Sequence, residues 1–286
     1  MFRSIALGGG GVRGFLFLGA LKAVEEQQGS LTFPDGIYGC SVGAVIATGI
    51  AFGVNASLAQ ESCLKYLNTS AFLPSFQYAT ILAFMQKKGL FTQDLMEELF
   101  LKIFDSFNID LRGKMISDAP QKLYILSSNI TTQRPTFLTG NIPILSALKA
   151  SCCLPFIYHP QMIHNQLYID GGVYMENIYE AVPKGTLVLE ILHATQSIFP
   201  STLESISIFE MVRSIWTGLR SQRSYPDAIN LQMDAYSMLD ELTDKGKRSM
   251  IDAGYSQALR FFTKRQSKEI QKVVTSDGVV EVVQSS

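Results

Sequence analysis

The sequence predicts an α/β protein with a mainly parallel central sheet, and three observations predict it. A short apolar run, Ser4 to Leu7, is followed by glycines and then by a helical pattern from Phe15 to Gln28. A second apolar run, Gly36-Ile37-Tyr38, leads into Gly39-Cys40-Ser41-Val42-Gly43, and a helix-like stretch, Ala44 to Ile50, leads away. Strand, glycine turn, helix, strand is a βαβ unit, whose crossover joins parallel neighbours.

Composition agrees with that class. The 286 residues are 47% hydrophobic and 17% charged, which suits one α/β domain with a large core. A formal net charge of −1 supplies no global field to recruit nucleic acid or an anionic membrane, so any membrane contact would be local and apolar. The four cysteines, Cys40, Cys63, Cys152 and Cys153, show no metal-ligand spacing, and the adjacent pair has poor geometry for a disulfide. A reducing compartment follows. Met1 to Leu7 runs into glycines without the long apolar core of a signal peptide, and no apolar run reaches the ~18 residues of a membrane span. The expectation is a cytoplasmic protein, soluble or bound peripherally to a membrane.

The elements follow in order. Leu16, Ala20, Ala23 and Val24 form the apolar face of the first helix, and Gly29 stops it. Asn55 is placed to cap a helix reaching about Leu67. Ala71 to Phe91 is rich in aromatics, and its uncharged part to Met85 reads as a buried helix or, alternatively, a lid or lipid-facing patch. Thr92 is expected to cap Gln93 to Phe104, with Leu95, Leu99 and Phe100 on one face. Lys122 to Ser128 and Thr136 to Thr139 read as strands, and Pro143 to Cys153 as a helix. Gln161 to Asp170 reads as a hairpin turning at His164-Asn165, and Thr186 to Leu192 as a further strand. Helices over Leu203 to Ser221 and Asp244 to Lys264 precede a mobile tail, Ser276 to Ser286.

Three features carry chemistry. Gly9-x-Gly11-x-x-Gly14 between strand and helix matches a dinucleotide fingerprint, but no carboxylate ends the second strand to hold a ribose. A P-loop would need Lys and Ser or Thr where Phe15-Leu16 stands. The remaining active reading is an oxyanion hole, because successive glycine N–H groups at a helix start form a concave set of donors. Gly-x-Ser-x-Gly at 39–43, between strand and helix, is the setting of a nucleophile elbow with Ser41 at its apex. A base is then required. His159, His164 and His193 are each better explained as structural or solvated, although Ser41, Asp170 and His193 do follow the chain order of an α/β-hydrolase triad. Asp170, in Asp170-Gly171-Gly172 after a strand, is the other candidate, against its plain reading as a turn.

Gly-Gly-Gly-Val-Arg-Gly at 9–14, Gly-Cys-Ser-Val-Gly at 39–43 and Asp-Gly-Gly at 170–172 together resemble the motif set of the patatin-like phospholipases. Lys88 to Phe91, Ala150 to Phe156 and Ala253-Gly254-Tyr255 add to the resemblance, which covers about residues 3 to 260. It implies a three-layer α/β/α fold, a single domain over 1–275, and a catalytic dyad of Ser41 and Asp170. It also implies an oxyanion hole from Gly9, Gly10 and Gly11, with Arg13 holding the loop or docking an anion. Gly14, Gly39, Gly43, Gly171 and Gly172 complete the motifs. The implied activity is lipid acyl hydrolysis of phospholipase A type, without metal or organic cofactor, on a phospholipid or other acyl-ester lipid. A general esterase, triacylglycerol lipase or lysophospholipase is the alternative on the same dyad. A lipid- or partner-binding module without turnover is the alternative of another class. One departure stands out: the Asn-x-Pro that often follows Asp-Gly-Gly is absent from Val173 to Tyr179.

Overall fold

The computed structural model describes residues 1–67, 84, 86–192, 223–233 and 242–276. Its sheet is built from the apolar runs. β1 (Ser4–Leu7), β2 (Gly36–Cys40) and β9 (Leu187–Ile191) are buried along their whole length, as parallel strands covered on both faces must be. With β4 (Leu123–Asn129), β5 (Arg134–Leu138), β7 (Gln161–Ile163), β8 (Gln166–Asp170) and β10 (Ala228–Leu231) they make an eight-stranded sheet, ordered β10-β9-β1-β2-β4-β8-β7 with β5 on β4. From β10 to β4 every pairing is parallel; β5, β8 and β7 are antiparallel. The expected mainly parallel α/β architecture is therefore present.

Alternation along the strands divides the core. Ile5, Leu7 and Ile37 point into the larger cluster, to which all six described α-helices contribute. These are α1 (Phe15–Gln28), α2 (Val42–Ala51), α3 (Ala56–Tyr66), α4 (Asp94–Asp105), α5 (Ile144–Ser151) and α6 (Asp244–Ser276). Ala6, Tyr38, Cys40 and Val188 point the other way, against Ile178 in a single-turn helix and the partly buried Tyr225. Glycines set the closest helix contact: a Cβ on Gly19 would lie 1.8 Å from the Ile251 carbonyl oxygen, and one on Gly254 would lie 2.0 Å from that of Leu16. α1 and α6 therefore touch backbone to backbone.

One feature of β4 determines where the site lies. Its residues Leu123 to Leu126 pair with β2, and Ser127 to Asn129 pair with β8. β5 pairs with Ile125 to Asn129 and so takes the opposite edge. β2 and β8 must then share one edge of β4, approaching from opposite directions and ending at consecutive residues, with Cys40 opposite Leu126 and Asp170 opposite Ser127.

Most predicted elements stand within a residue or two of their expected limits, with four exceptions. Gln93, and not Thr92, occupies the N-cap position of α4; the Thr92 hydroxyl donates instead to Asp94 Oδ2. Leu95 is 46% exposed, because the inward face of α4 is Met96, Leu99, Phe100, Ile103 and Phe104. β3 (Gly89–Phe91) and β6 (Phe156–Tyr158) pair as a separate parallel ribbon, and β10 adds an outer strand; these three-to-four-residue segments have too little pattern to read. α6 continues past Lys264 to Ser276. Residues 71–83, 203–221 and 277–286, where a buried helix or alternatively a lid, a further helix and a tail are expected, lie outside the described residues.

Candidate active site

The elbow forms because β2 turns sharply into α2. Ser41 has φ 54° and ψ −127°, a strained conformation of the kind that survives only where its surroundings over-determine it. Gly39 and Gly43 make those surroundings possible. A Cβ on Gly43 would lie 2.3 Å from the Gly8 carbonyl oxygen, and one on Gly39 would lie 2.5 Å from Ala44 Cα. The start of α2 is thus pressed onto the ends of both β1 and β2.

The glycine turn lies beside the serine. An ideal Cβ on Gly9 would meet Ser41 Cβ at 3.6 Å, and one on Gly14 would meet Val42 at 2.5 Å. Gly11, at φ 57°, opens the single-turn helix Gly11–Gly14. The N–H groups of Gly9, Gly10 and Gly11 donate to no acceptor among the described residues. Arg13 is buried, and its guanidinium donates to the Leu192 carbonyl at 3.4 Å. The side chain thus ties the glycine turn to the residue that follows β9.

Asp170 arrives at the end of β8 and caps the turn that follows. Its Oδ1 accepts from the Gly172 N–H at 2.9 Å. Oδ2 is buried with no hydrogen-bond partner among the described residues. Burial pushes its pKa up to about 6, against the pull of the Gly172 N–H and of the neighbouring Ser41 hydroxyl. One oxygen is anchored, the other is buried without a partner among the described residues, and the carboxyl as a whole lies near the Ser41 hydroxyl. At the start of the loop beyond, Ser128 Oγ donates to the Gly171 carbonyl and accepts from the Tyr174 N–H.

An apolar cavity of about 140 Å³ is lined by Ser41 together with residues of α1, α2, α3 and α4. Val42, Val45, Leu99 and Cys152 line it near the serine and along its length, and Leu31 and Phe104 are among its deep walls. The thiols of Cys40 and Cys152 are pushed well up by burial and by Asp170, so they stay protonated and do not compete with the serine hydroxyl. Burial lowers the pKa of His159 from its ordinary value, and its backbone N–H donates to the Phe91 carbonyl in the small ribbon. His164 sits in the hairpin turn at φ 47°. His193 lies outside the described residues. No group of three or more His, Cys, Asp or Glu side chains is arranged to hold a metal among the described residues.

A family model for patatin-like phospholipases matches residues 5–182. The chain belongs to the patatin-like phospholipase family. It is 28% identical over 174 residues to an uncharacterized protein of Acanthamoeba polyphaga mimivirus, covering 59% of this chain and 58% of that one. It is 26% identical over 187 residues to a probable lipid hydrolase of Invertebrate iridescent virus 6, covering 60% of each. It is 29% identical over 198 residues to the cUMP-AMP-activated phospholipase of Escherichia coli, covering 61% of this chain and 56% of that one. The match thus spans less than two thirds of each of these relatives. Among solved structures, VipD from Legionella pneumophila has a similar fold, with a TM-score of 0.55 and 14% identity over 92% of this chain and 67% of that one.

Two side chains at this patatin-like site have no role assigned by the sequence, although Ser151 lies in the stretch Ala150 to Phe156. Ser151, at the end of α5, accepts from the Ser41 N–H at 2.8 Å. Glu190 is a lone acid in the apolar strand Leu187-Val188-Leu189-Glu190-Ile191, and that isolation was its signal in the sequence. It fills the space left by Gly8, where an added Cβ would lie 2.1 Å from Glu190 Oε2. Burial pushes its pKa up to about 8 against the N–H groups of Tyr179 and Ile178, and Glu176 and Glu180 push it further. A neutral carboxylic acid therefore lies beside the residue that leads into the glycine turn.

Proposed function

We propose that this protein hydrolyses fatty-acyl esters of lipids, as a phospholipase A-type enzyme, through an acyl-serine formed on Ser41. The observation that carries the reading is the meeting of β2 and β8 on β4, which brings Ser41 and the buried carboxyl of Asp170 together beside an apolar cavity that Ser41 lines. Asp170 Oδ2 takes the hydroxyl proton as Ser41 Oγ bonds to the ester carbonyl carbon. The carbonyl electron pair moves to oxygen, where the N–H groups of Gly9, Gly10 and Gly11 receive it. The C–O bond to the alcohol breaks, and the leaving oxygen takes the proton from Asp170. Water then gives a proton to Asp170 and attacks the acyl carbon; Ser41 Oγ leaves, recovers that proton and releases the fatty acid. A carboxylate with a pKa of about 6 is a far better base near neutrality than one in water, and still ionised there.

The cavity supports an apolar acyl group over a small acetyl-like one, since its inner walls are aliphatic and aromatic. Similarity to the phospholipase of Escherichia coli and to the viral lipid hydrolase favours a lipid ester over a general ester. No described helix is long and apolar enough to cross a membrane. The test is a fluorophosphonate probe followed by a head-group panel. We expect one adduct, on Ser41, and fatty-acid release from phosphatidylcholine vesicles exceeding that from triacylglycerol emulsions. An adduct with greater release from triacylglycerol would point to the lipase reading. A folded protein with no adduct would point to the binding module.

A further inference from the structure

Where β2 and β8 meet end to end, regular pairing along β4 is interrupted, and backbone groups at the break need other partners. The Leu126 carbonyl and the Ser41 N–H lie at that break. A single hydroxyl satisfies both: Ser151 Oγ donates to Leu126 O at 2.6 Å and accepts from Ser41 N at 2.8 Å. Ser151 is completely buried, so no water replaces it. Two residues further on, the Cys153 carbonyl accepts from the Asp170 N–H at 2.8 Å. The three-residue segment 151–153 therefore grips the backbone of the nucleophile and of the base at once.

The segment is itself firmly seated. The Lys149 carbonyl accepts from Gln93 Nε2 at 2.8 Å, and the Lys149 ammonium pairs with Glu97, which fastens the end of α5 to α4. The Ser41 N–H is thereby committed to Ser151, leaving the glycine turn as the donor set for the oxyanion.

We infer that Ser151 is a positioning residue, which holds the strained Ser41 at the correct separation from Asp170 through the brace 151–153. The inference rests on the acyl-hydrolase reading above. Its hydroxyl already has two buried partners, so it acts on the reaction only through Ser41. A displacement of about 1 Å between reacting groups costs on the order of 100-fold in rate.

Ser151→Ala, Ser151→Cys and the parent would be compared for turnover, fluorophosphonate labelling rate and stoichiometry, and amide exchange at Ser41. For Ser151→Ala we expect kcat and labelling rate to fall about 10- to 100-fold, with KM within about twofold and near-complete final labelling. The cysteine variant, whose thiol is a weaker donor and acceptor, should lie between. Exchange at Ser41 should quicken in the order Ser, Cys, Ala. A merely structural role would lower the stoichiometry and leave the rate of the labelled fraction at the parental value, and that result overturns the inference. If the alanine variant does not fold, the cysteine variant decides: full labelling at the parental rate overturns it. An inactive parent in which Ser41 exchange still quickens overturns the hydrolase reading and leaves the brace. An active parent with unchanged exchange and turnover overturns the brace and leaves the hydrolase.

Discussion

Ser41 reaches the site on a strand buried at every position between parallel neighbours, whereas Asp170 comes in on the outer hairpin, whose Met162 and Leu167 face solvent. The serine arm stores strain at one residue, and Gly39 and Gly43 admit backbone contacts that any side chain would block. The aspartate arm is looser: a Cβ on Gly172 would meet nothing closer than 3.3 Å, although Gly171 is pressed onto the Leu126 carbonyl. Under the proposed function, the contrast follows from what each group needs. A nucleophile held at an unfavourable backbone angle requires rigid support on all sides. A base requires only burial to raise its pKa and one donor to fix its orientation.

The largest expected effect tests whether the arms act as one unit. Ser41→Ala and Asp170→Asn should each lower turnover by roughly 10³-fold or more, and the double variant should be no worse than either alone. Initial rates at matched folded fractions measure this; a multiplicative loss would mean that the arms work separately. Next comes rigidity. Gly43→Ala should cost about 2–3 kcal/mol in urea unfolding, because backbone is what it meets, while Gly172→Ala should cost less than about 1 kcal/mol. Equal costs would erase the distinction between the arms.

Acid–base behaviour sharpens the comparison further. Activity should rise with pH through about 6 as Asp170 ionises. Glu190, with a folded pKa raised to about 8, binds its proton more tightly in the native state than in the unfolded chain. The stability it contributes is complete below the unfolded value of about 4.3 and is lost as pH climbs to its folded value. Glu190→Gln should flatten that decline in a thermal scan from pH 5 to 9; identical slopes would remove Glu190 from the account. The smallest effect belongs to the hairpin surface, where Met162→Gln should shift stability by less than about 0.5 kcal/mol.

Much of this was legible from the chain alone. The serine, the glycine turn and Asp170 stand at strand ends, where pattern and turn chemistry are strongest, and the hairpin was visible because His164-Asn165 suits the positive φ of both residues. Ser151 was not legible as a support, since a serine ending a helix has no periodic signature and its partners, Ser41 and Leu126, come from two other elements. Thr92 misled because a threonine before a helix suits a cap, yet the first turn begins one residue later. β3 and β6 escaped because three residues cannot display an alternation.

The end-to-end meeting on β4 also bears on folding order. A chain that has paired β4 with β8 holds Asp170 in place but lacks Ser41 until β2 takes the rest of the same edge. Cys40 and Leu126 lie twice as far apart in sequence as Ser127 and Asp170, so the β2 pairing closes the longer loop and is the slower of the two to form. Under the proposed function, hydrolytic competence would then wait for β2, and a chain without it would hold its base with no nucleophile alongside.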